Sequence, residues 1–205
     1  MNLIRKYFPE LTSLQISRFE RLEELYLSWN KKINVISRKD ITHLYERHIL
    51  HSLAIAKAFP FSPDTTILDV GTGGGLPGIP LAIYFPSCSF TLIDSIGKKI
   101  MVAQSICDAL ELKNVRTVQV RVEQYYKKFN FVVARAVTEM NAFIKWVVKN
   151  IDNRPGLNLK NGVIYLKGGD FEEELPSIQT VQVINISQFF SEVFFKTKKI
   201  IYVPF

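Results

Sequence analysis

The stretch Ile67-Leu68-Asp69-Val70-Gly71-Thr72-Gly73-Gly74-Gly75 decides how the chain folds. An apolar strand reaches an acid and then breaks into a glycine run at the start of a helix. Glycines at 71, 73 and 75 can take positive φ and carry no Cβ, so a ligand can lie directly against backbone N–H groups. A strand-to-helix turn of this kind is a nucleotide-cofactor cradle.

Two cofactors compete for it. Gly73, Gly75 and Gly78 satisfy the G-x-G-x-x-G spacing of dinucleotide sites when counted from the second glycine. Asp69 argues against NAD, because a carboxylate at the strand end is badly placed beside a pyrophosphate and well placed near the ammonium of an amino-acid cofactor. Pro77 argues the same way, since it lacks the N–H that a phosphate-binding helix start offers. A glycine-rich turn that holds no ligand is the third reading.

Residues 89–94, Ser-Phe-Thr-Leu-Ile-Asp, read as a second buried strand. Asp94 at its carboxyl end stands about twenty residues beyond the loop, where an acid can accept both ribose hydroxyls. Gly97-Lys98-Lys99 opens a helix with Ile100, Ala103, Cys107 and Leu110 at helical spacing. Residues 115–122 suit a third strand that runs into Glu123, and 131–135 a fourth. A helix over 139–149 presents Met140, Phe143 and Val147 on one face, and 162–166 supplies a fifth strand. Strand and helix alternate, which predicts a doubly wound, mostly parallel α/β sheet. Two further strand-like runs, 181–186 and 199–204, have no helix-length pattern between them and predict an antiparallel pair at the sheet edge.

The stretch from Asp69 to Leu81, with Thr91-Leu-Ile-Asp-Ser-Ile-Gly-Lys-Lys99, Arg121-Val122-Glu123 and Ala134-Arg135-Ala136, resembles the RsmG (GidB) family. Trp29-Asn30, Asn34, Arg47-His48 and Ser52-Leu53 resemble that family's helical leader, and the resemblance fades beyond Gly168. It implies a class I S-adenosylmethionine-dependent methyltransferase: a Rossmann-like, mostly parallel seven-stranded sheet with an antiparallel edge. Residues 1–60 would form the leader and 61–205 the methyltransferase domain. The implied reaction is methylation of guanine N7 in the decoding-region loop of 16S rRNA, with S-adenosylmethionine as cofactor and the 16S rRNA or small ribosomal subunit as partner. Carried onto this chain, the resemblance puts Gly71, Gly73 and Leu76 at the cofactor, Val122 and Glu123 near its adenine, Asp94 at its ribose, and Arg135 at the mouth shared with the substrate. The chain departs from the family at His51, where Asp is common, and at Gly74.

Composition agrees with an RNA enzyme. The 205 residues are 47% apolar, enough for one good core, and carry a formal charge of +7. A basic surface attracts phosphates. No apolar run reaches membrane-spanning length, and the first residues do not read as a signal peptide. Cys88 and Cys107 suit a reducing cytoplasm better than a disulfide scaffold. A cytoplasmic protein without metal or membrane is expected, and it is taken to be a monomer, although nothing in the sequence decides its oligomeric state. Lys31, Lys32, Arg38 and Lys39 bracket a break between two leader helices and are candidate RNA contacts, as are Lys98 and Lys99. Lys127, Lys128 and Arg135 are read as lying with them near the carboxyl ends of strands.

In the leader, residues 13–29 predict an amphipathic helix capped by Thr12 or Ser13, with Leu14, Ile16, Phe19, Leu22, Leu25 and Trp29 inward. Asp40 is expected to cap a second helix burying Ile41, Leu44, His48, Ile55 and Phe59. His43, His48 and His51 fall in that helix but do not share one face, which argues against a metal site. Neither cysteine has a basic partner, as a carbon-methylating nucleophile would need. The Asp/Asn-Pro-Pro-aromatic signature of amine methylases is absent after the fourth strand, where Arg135-Ala-Val-Thr138 stands. Guanine N7 needs no general base, so Arg135 is assigned an orienting role; an ion pair with Glu123 or Glu139 is its bland alternative. The competing functions are an NAD-dependent oxidoreductase and a non-catalytic RNA-binding ribosome assembly factor.

Overall fold

Apolar runs of five to seven residues are buried on both faces only when helices cover both sides of a parallel sheet, and that is the arrangement they adopt. The computed structural model describes residues 1–37, 39–135, 137–154, 159–169 and 180–205. Among them, seven strands form one sheet: β1 (Thr66–Val70), β2 (Ser89–Asp94), β3 (Val115–Gln119), β4 (Phe131–Arg135), β5 (Gly162–Gly168), β6 (Gln182–Asn185) and β7 (Lys198–Pro204). Their spatial order is β3-β2-β1-β4-β5-β7-β6. The first five are parallel, and β7 runs antiparallel to β5 and β6, as the two late runs predicted. Because β7 runs backwards, its first residue, Lys198, lies opposite Gly168 at the carboxyl end of β5.

Period-two alternation sorts the strands into two cores. Ile67, Leu92, Val133, Ile164 and Ile200 face one, together with the leader and the helices α4 (Gly78–Tyr84) and α5 (Gly97–Ala109). Leu68, Ile93, Val132, Val163 and Ile201 face the other, against α6 (Met140–Val147).

The leader begins with α1 (Asn2–Tyr7) and α2 (Ser13–Asn30). Thr12 caps α2 through a reciprocal pair of bonds: its hydroxyl accepts from the Gln15 N–H and its own N–H donates to Gln15 Oε1. Gln15 Nε2 also donates to the carbonyls of Ile83 and Tyr84, docking α2 on the end of α4. The buried stripe is Phe19, Leu22 and Tyr26, whereas Leu14 is exposed and Ile16, Leu25 and Trp29 are half-buried. Tyr26 joins the core because its hydroxyl finds the Gly74 carbonyl at 3.0 Å, so a polar tip is satisfied inside.

The second leader helix is not the uniform helix expected from 3.6-residue spacing. Ile41–His43 is a 3₁₀ turn, Leu44–Leu50 a π-helical segment, and only α3 (His51–Ala58) is α-helical. Asp40 does not cap it: its carboxylate accepts from Ser37 Oγ and pairs with Arg47 at 2.8 Å. The changed pitch turns His48 and His51 into the protein, because a π segment rotates side chains off the regular face. Two other expected elements are shorter. β3 stops at Gln119 and gives way to a 3₁₀ turn at Val122–Gln124, and α6 yields to a 3₁₀ turn at Val148–Asn150.

Candidate active site

A cleft of about 420 Å³ opens at the carboxyl ends of β1, β2 and β4, where the strand order reverses. The turn after β1 takes the conformation its glycines permit, with Gly71, Gly73 and Gly75 at φ of 68°, 57° and 102°. Gly71 has no room for anything larger, since a Cβ there would lie 2.8 Å from Val137 Cγ2.

The loop does not offer its N–H groups to a ligand as expected. Gly71 and Thr72 donate to the Ile93 carbonyl, Gly73 donates to Asp94 Oδ2, and Gly75 donates to the Thr72 carbonyl. An amide nest for pyrophosphate is thus already closed by the protein itself, which counts against NAD more directly than charge does.

Asp69 also differs from expectation. It is fully buried and accepts from Thr72 Oγ1 at 2.6 Å and the Gly78 N–H at 2.8 Å, tying the loop to the start of α4. Burial pushes its carboxyl up to about 7. The acid that faces the cleft is Asp94, whose two oxygens accept from Gly73 N at 3.0 Å and Ile96 N at 2.9 Å. A carboxylate has about four acceptor sites, so two remain for hydroxyl donors.

Gly71, Asp94, Val122, Glu123, Arg135 and Lys99 all line the cleft. Gly73 reaches it through its bond to Asp94, and Leu76 packs into the apolar core rather than the wall. Sequence reading missed Ile96, Arg121, Val137 and Trp146, which also line it. Ile96 carried a signal: an apolar residue two positions after a strand-ending acid, 47% exposed. Val122 and Ile96 give the cleft an apolar side next to Asp94, the pairing that a nucleoside requires.

Arg135 ends β4 half-buried, and burial lowers its guanidinium pKa against the fields of Tyr26, Asp69 and Asp40. The alternative ion pair of Arg135 with Glu123 or Glu139 does not form. Glu139 instead caps α6 by accepting from the N–H groups of Asn141 and Ala142. Cys88 and Cys107 are buried, and desolvation pushes their thiols up to about 11 and about 12, so neither is a nucleophile.

Of the predicted RNA contacts, Lys98 and Lys99 open α5 beside the cleft, with Lys98 exposed. Lys31 lines a shallow recess with Leu27, Asn30 and Ile41, and Lys32 lies 5.2 Å over the Trp29 ring. Arg38 lies outside the described residues. Lys127 and Lys128 are at the opposite edge of the sheet, because the chain must return to the amino end of β4 before that parallel strand can start. Among the described residues no group of His, Cys, Asp and Glu could hold a metal ion, and no helix is long and apolar enough to cross a membrane.

The family model described as GidB, rRNA small subunit methyltransferase G, matches residues 15–199. A protein of Flavobacterium johnsoniae named ribosomal RNA small subunit methyltransferase G is 55% identical over 204 residues, covering 100% of this chain and 98% of its own. The similarity therefore continues past Gly168, where the resemblance was expected to fade. Among solved structures, a SAM dependent methyltransferase from Aquifex aeolicus matches with a TM-score of 0.55 at 17% identity, over 82% of this chain and 98% of that one. A mutant of MtNAS in complex with S-adenosylmethionine matches with a TM-score of 0.55 at 9% identity, over 93% of this chain and 76% of that one. These two likenesses speak for the fold alone.

Proposed function

Because this chain belongs to the GidB family of rRNA small subunit methyltransferases, we propose that it transfers the methyl group of S-adenosylmethionine to N7 of a guanine in the decoding-region loop of 16S rRNA. The observation that carries the cofactor assignment is Asp94, a carboxylate held by two backbone N–H groups with acceptor sites to spare, beside an apolar wall and a glycine turn in which a Cβ at Gly71 would meet Val137. Asp94 would accept the ribose hydroxyls. Ile96, Val122 and Glu123 would take the adenine, the last from the rim. Gly71 would let the amino-acid end lie against bare backbone.

When bound, the cofactor supplies an electrophilic methyl group on a sulfonium. Guanine N7 has a free lone pair at neutral pH, so no residue has to remove a proton before attack. The work left to this chain is positioning, for which a rigid cleft suffices. Arg135 stands at the cleft wall, half-buried, and would fix the target base or the cofactor's carboxylate at the mouth. A loop guanine, already unstacked, costs less to bring there than one in a duplex. The reading takes the enzyme to act as a monomer in the cytoplasm.

The test is transfer of labelled methyl from S-adenosylmethionine to small-subunit particles lacking the modification, followed by mass spectrometry of the product nucleosides. N7-methylguanosine within the decoding-region loop is the expected product. Label in another nucleoside would overturn the N7 assignment, and no transfer to particles or free rRNA would overturn the substrate.

A further inference from the structure

Arg135 walls the cofactor cleft and also faces a second group of basic residues that the proposed reaction leaves unused. Arg47 and His48 come from the π segment, His51 from the first turn of α3, and Lys198 from the start of β7. In the sheet order Arg135 stands between Asp94 on β2 and Lys198 on β7, two strands from each, or about 10 Å at ordinary strand spacing. Three of the basic residues converge on one ring. Phe194 meets His51 edge-on at 5.6 Å, Lys198 Nζ at 4.9 Å and the Arg47 guanidinium at 5.8 Å.

Among the described residues this cluster is short of both negative charge and hydrogen-bond partners. Asp40, paired with Arg47, is the carboxylate whose field reaches His48, and among the described residues none is felt at His51, where Arg135, Lys198 and His48 all oppose protonation. Among the described residues, Arg47 Nε, both ring nitrogens of His48 and His51 Nε2 are buried without a partner. His51 itself is 6% exposed, whereas Arg47 and Lys198 are part-exposed and Arg135, its guanidinium desolvated, stands between them and the cleft. Native proteins rarely leave several buried polar atoms unpaired in one place unless a ligand, an ion or ordered water completes them.

We propose that this cluster holds a phosphodiester group of single-stranded RNA beside the guanosine being methylated, with Arg47, Arg135 and Lys198 around its non-bridging oxygens and His48 and His51 behind them. The inference rests on the rRNA methyltransferase reading and gives its substrate a second anchor. A phosphate fits better than a base edge, because the cluster brings together the three cations Arg47, Arg135 and Lys198 against the carboxylate of Asp40, an excess of positive charge that a neutral base edge would not offset. The geometry also suits a phosphate better than the cofactor's carboxylate, since Lys198 lies on the far side of Arg135 from Asp94. Such a contact positions RNA without reading sequence and leaves N7 free to face the cleft.

The test uses the full chain and its Lys198→Gln and Arg47→Gln variants, binding small-subunit particles across a range of salt and S-adenosylmethionine by calorimetry. Each variant is expected to weaken particle binding about tenfold and to reduce the slope of log affinity against log salt by about one, the signature of one lost phosphate contact. Cofactor affinity should stay within about twofold, since a tenfold change requires about 1.4 kcal/mol of lost interaction. An unchanged slope and affinity for particles would overturn the proposal. So would a loss of cofactor affinity instead, which would give the cluster to the cofactor's carboxylate. Arg47→Gln also breaks the pair with Asp40, so if it fails to fold, Lys198→Gln decides alone. Particle binding needs no methyl transfer. A parent that binds particles without methylating them would therefore sink the catalytic reading while the salt slope still judged this one.

Discussion

Asp69 and Asp94 stand at the carboxyl ends of β1 and β2, whereas Arg135 ends β4 and Lys198 begins β7 at the same rim, and the two halves differ in more than sign. Each acid accepts two hydrogen bonds from the chain itself, Asp69 from Thr72 and Gly78 and Asp94 from Gly73 and Ile96. Among the described residues the basic half keeps buried nitrogens of Arg47, His48 and His51 without partners, against Asp69 Oδ1 alone in the acidic pair. The acids are fixed in place by the chain's own donors before a ligand arrives, with acceptor sites of Asp94 open to it, and the basic half is left for a ligand to complete. A small cofactor that must be held in one geometry suits the first, and a large flexible substrate suits the second.

The largest expected effect comes from breaking the finished half. Gly71→Asp should abolish cofactor binding in calorimetry, because it forces a side chain and a charge where φ is 68° and where a Cβ would already meet Val137 at 2.8 Å. Retained affinity would remove the glycine turn from the site. At the junction of the halves, Arg135→Ala should lower the methylation rate about tenfold to a hundredfold, with a thermal midpoint that moves far less. An unchanged rate would take Arg135 out of the reaction.

A smaller effect separates the two acids by pH. The folded-state value of Asp69, about 7, lies above its ordinary 3.8, so the folded protein keeps a proton that the unfolded chain gives up. That contribution is fully present below the unfolded value and is lost as pH rises toward 7. Asp69→Asn keeps an acceptor for Thr72 and Gly78 and has no charge to bury. The variant should be more stable than the parent at pH 7 by on the order of 1–2 kcal/mol, with the gap closing toward pH 4. Denaturant unfolding at the two pH values checks this, and a variant less stable at pH 7 would show that the ionised carboxylate is needed to hold the loop.

Much of this arrangement can be read in the sequence because it is local. Ile67 to Val70, Phe90 to Ile93 and Phe131 to Ala134 are apolar runs that only a doubly covered sheet can bury, and each is followed by its site residue within a few positions. What could not be read depends on tertiary contact. Tyr26 enters the core only because α2 brings it to the Gly74 carbonyl, and Lys198 shares the Phe194 ring with His51 only because β7 runs backwards against β5. Regular helical spacing also gave no sign of the π segment that turns His48 inward, since its apolar residues fit an α-helix equally well. Lys127 and Lys128 were assigned to the wrong edge because their distance from β3 says nothing about the return crossing that β4 demands.

The most direct test of a rim divided at Arg135 is to measure cofactor affinity and particle affinity in parallel for Asp94→Asn. An amide there sets an N–H against one of the two backbone donors and removes the charge that would hold the ribose. The expected result is cofactor binding weakened about tenfold or more with particle binding unchanged, because a hydrogen bond to a charged group contributes about 1.5–3 kcal/mol. Equal weakening of both, or of particles alone, would contradict the division.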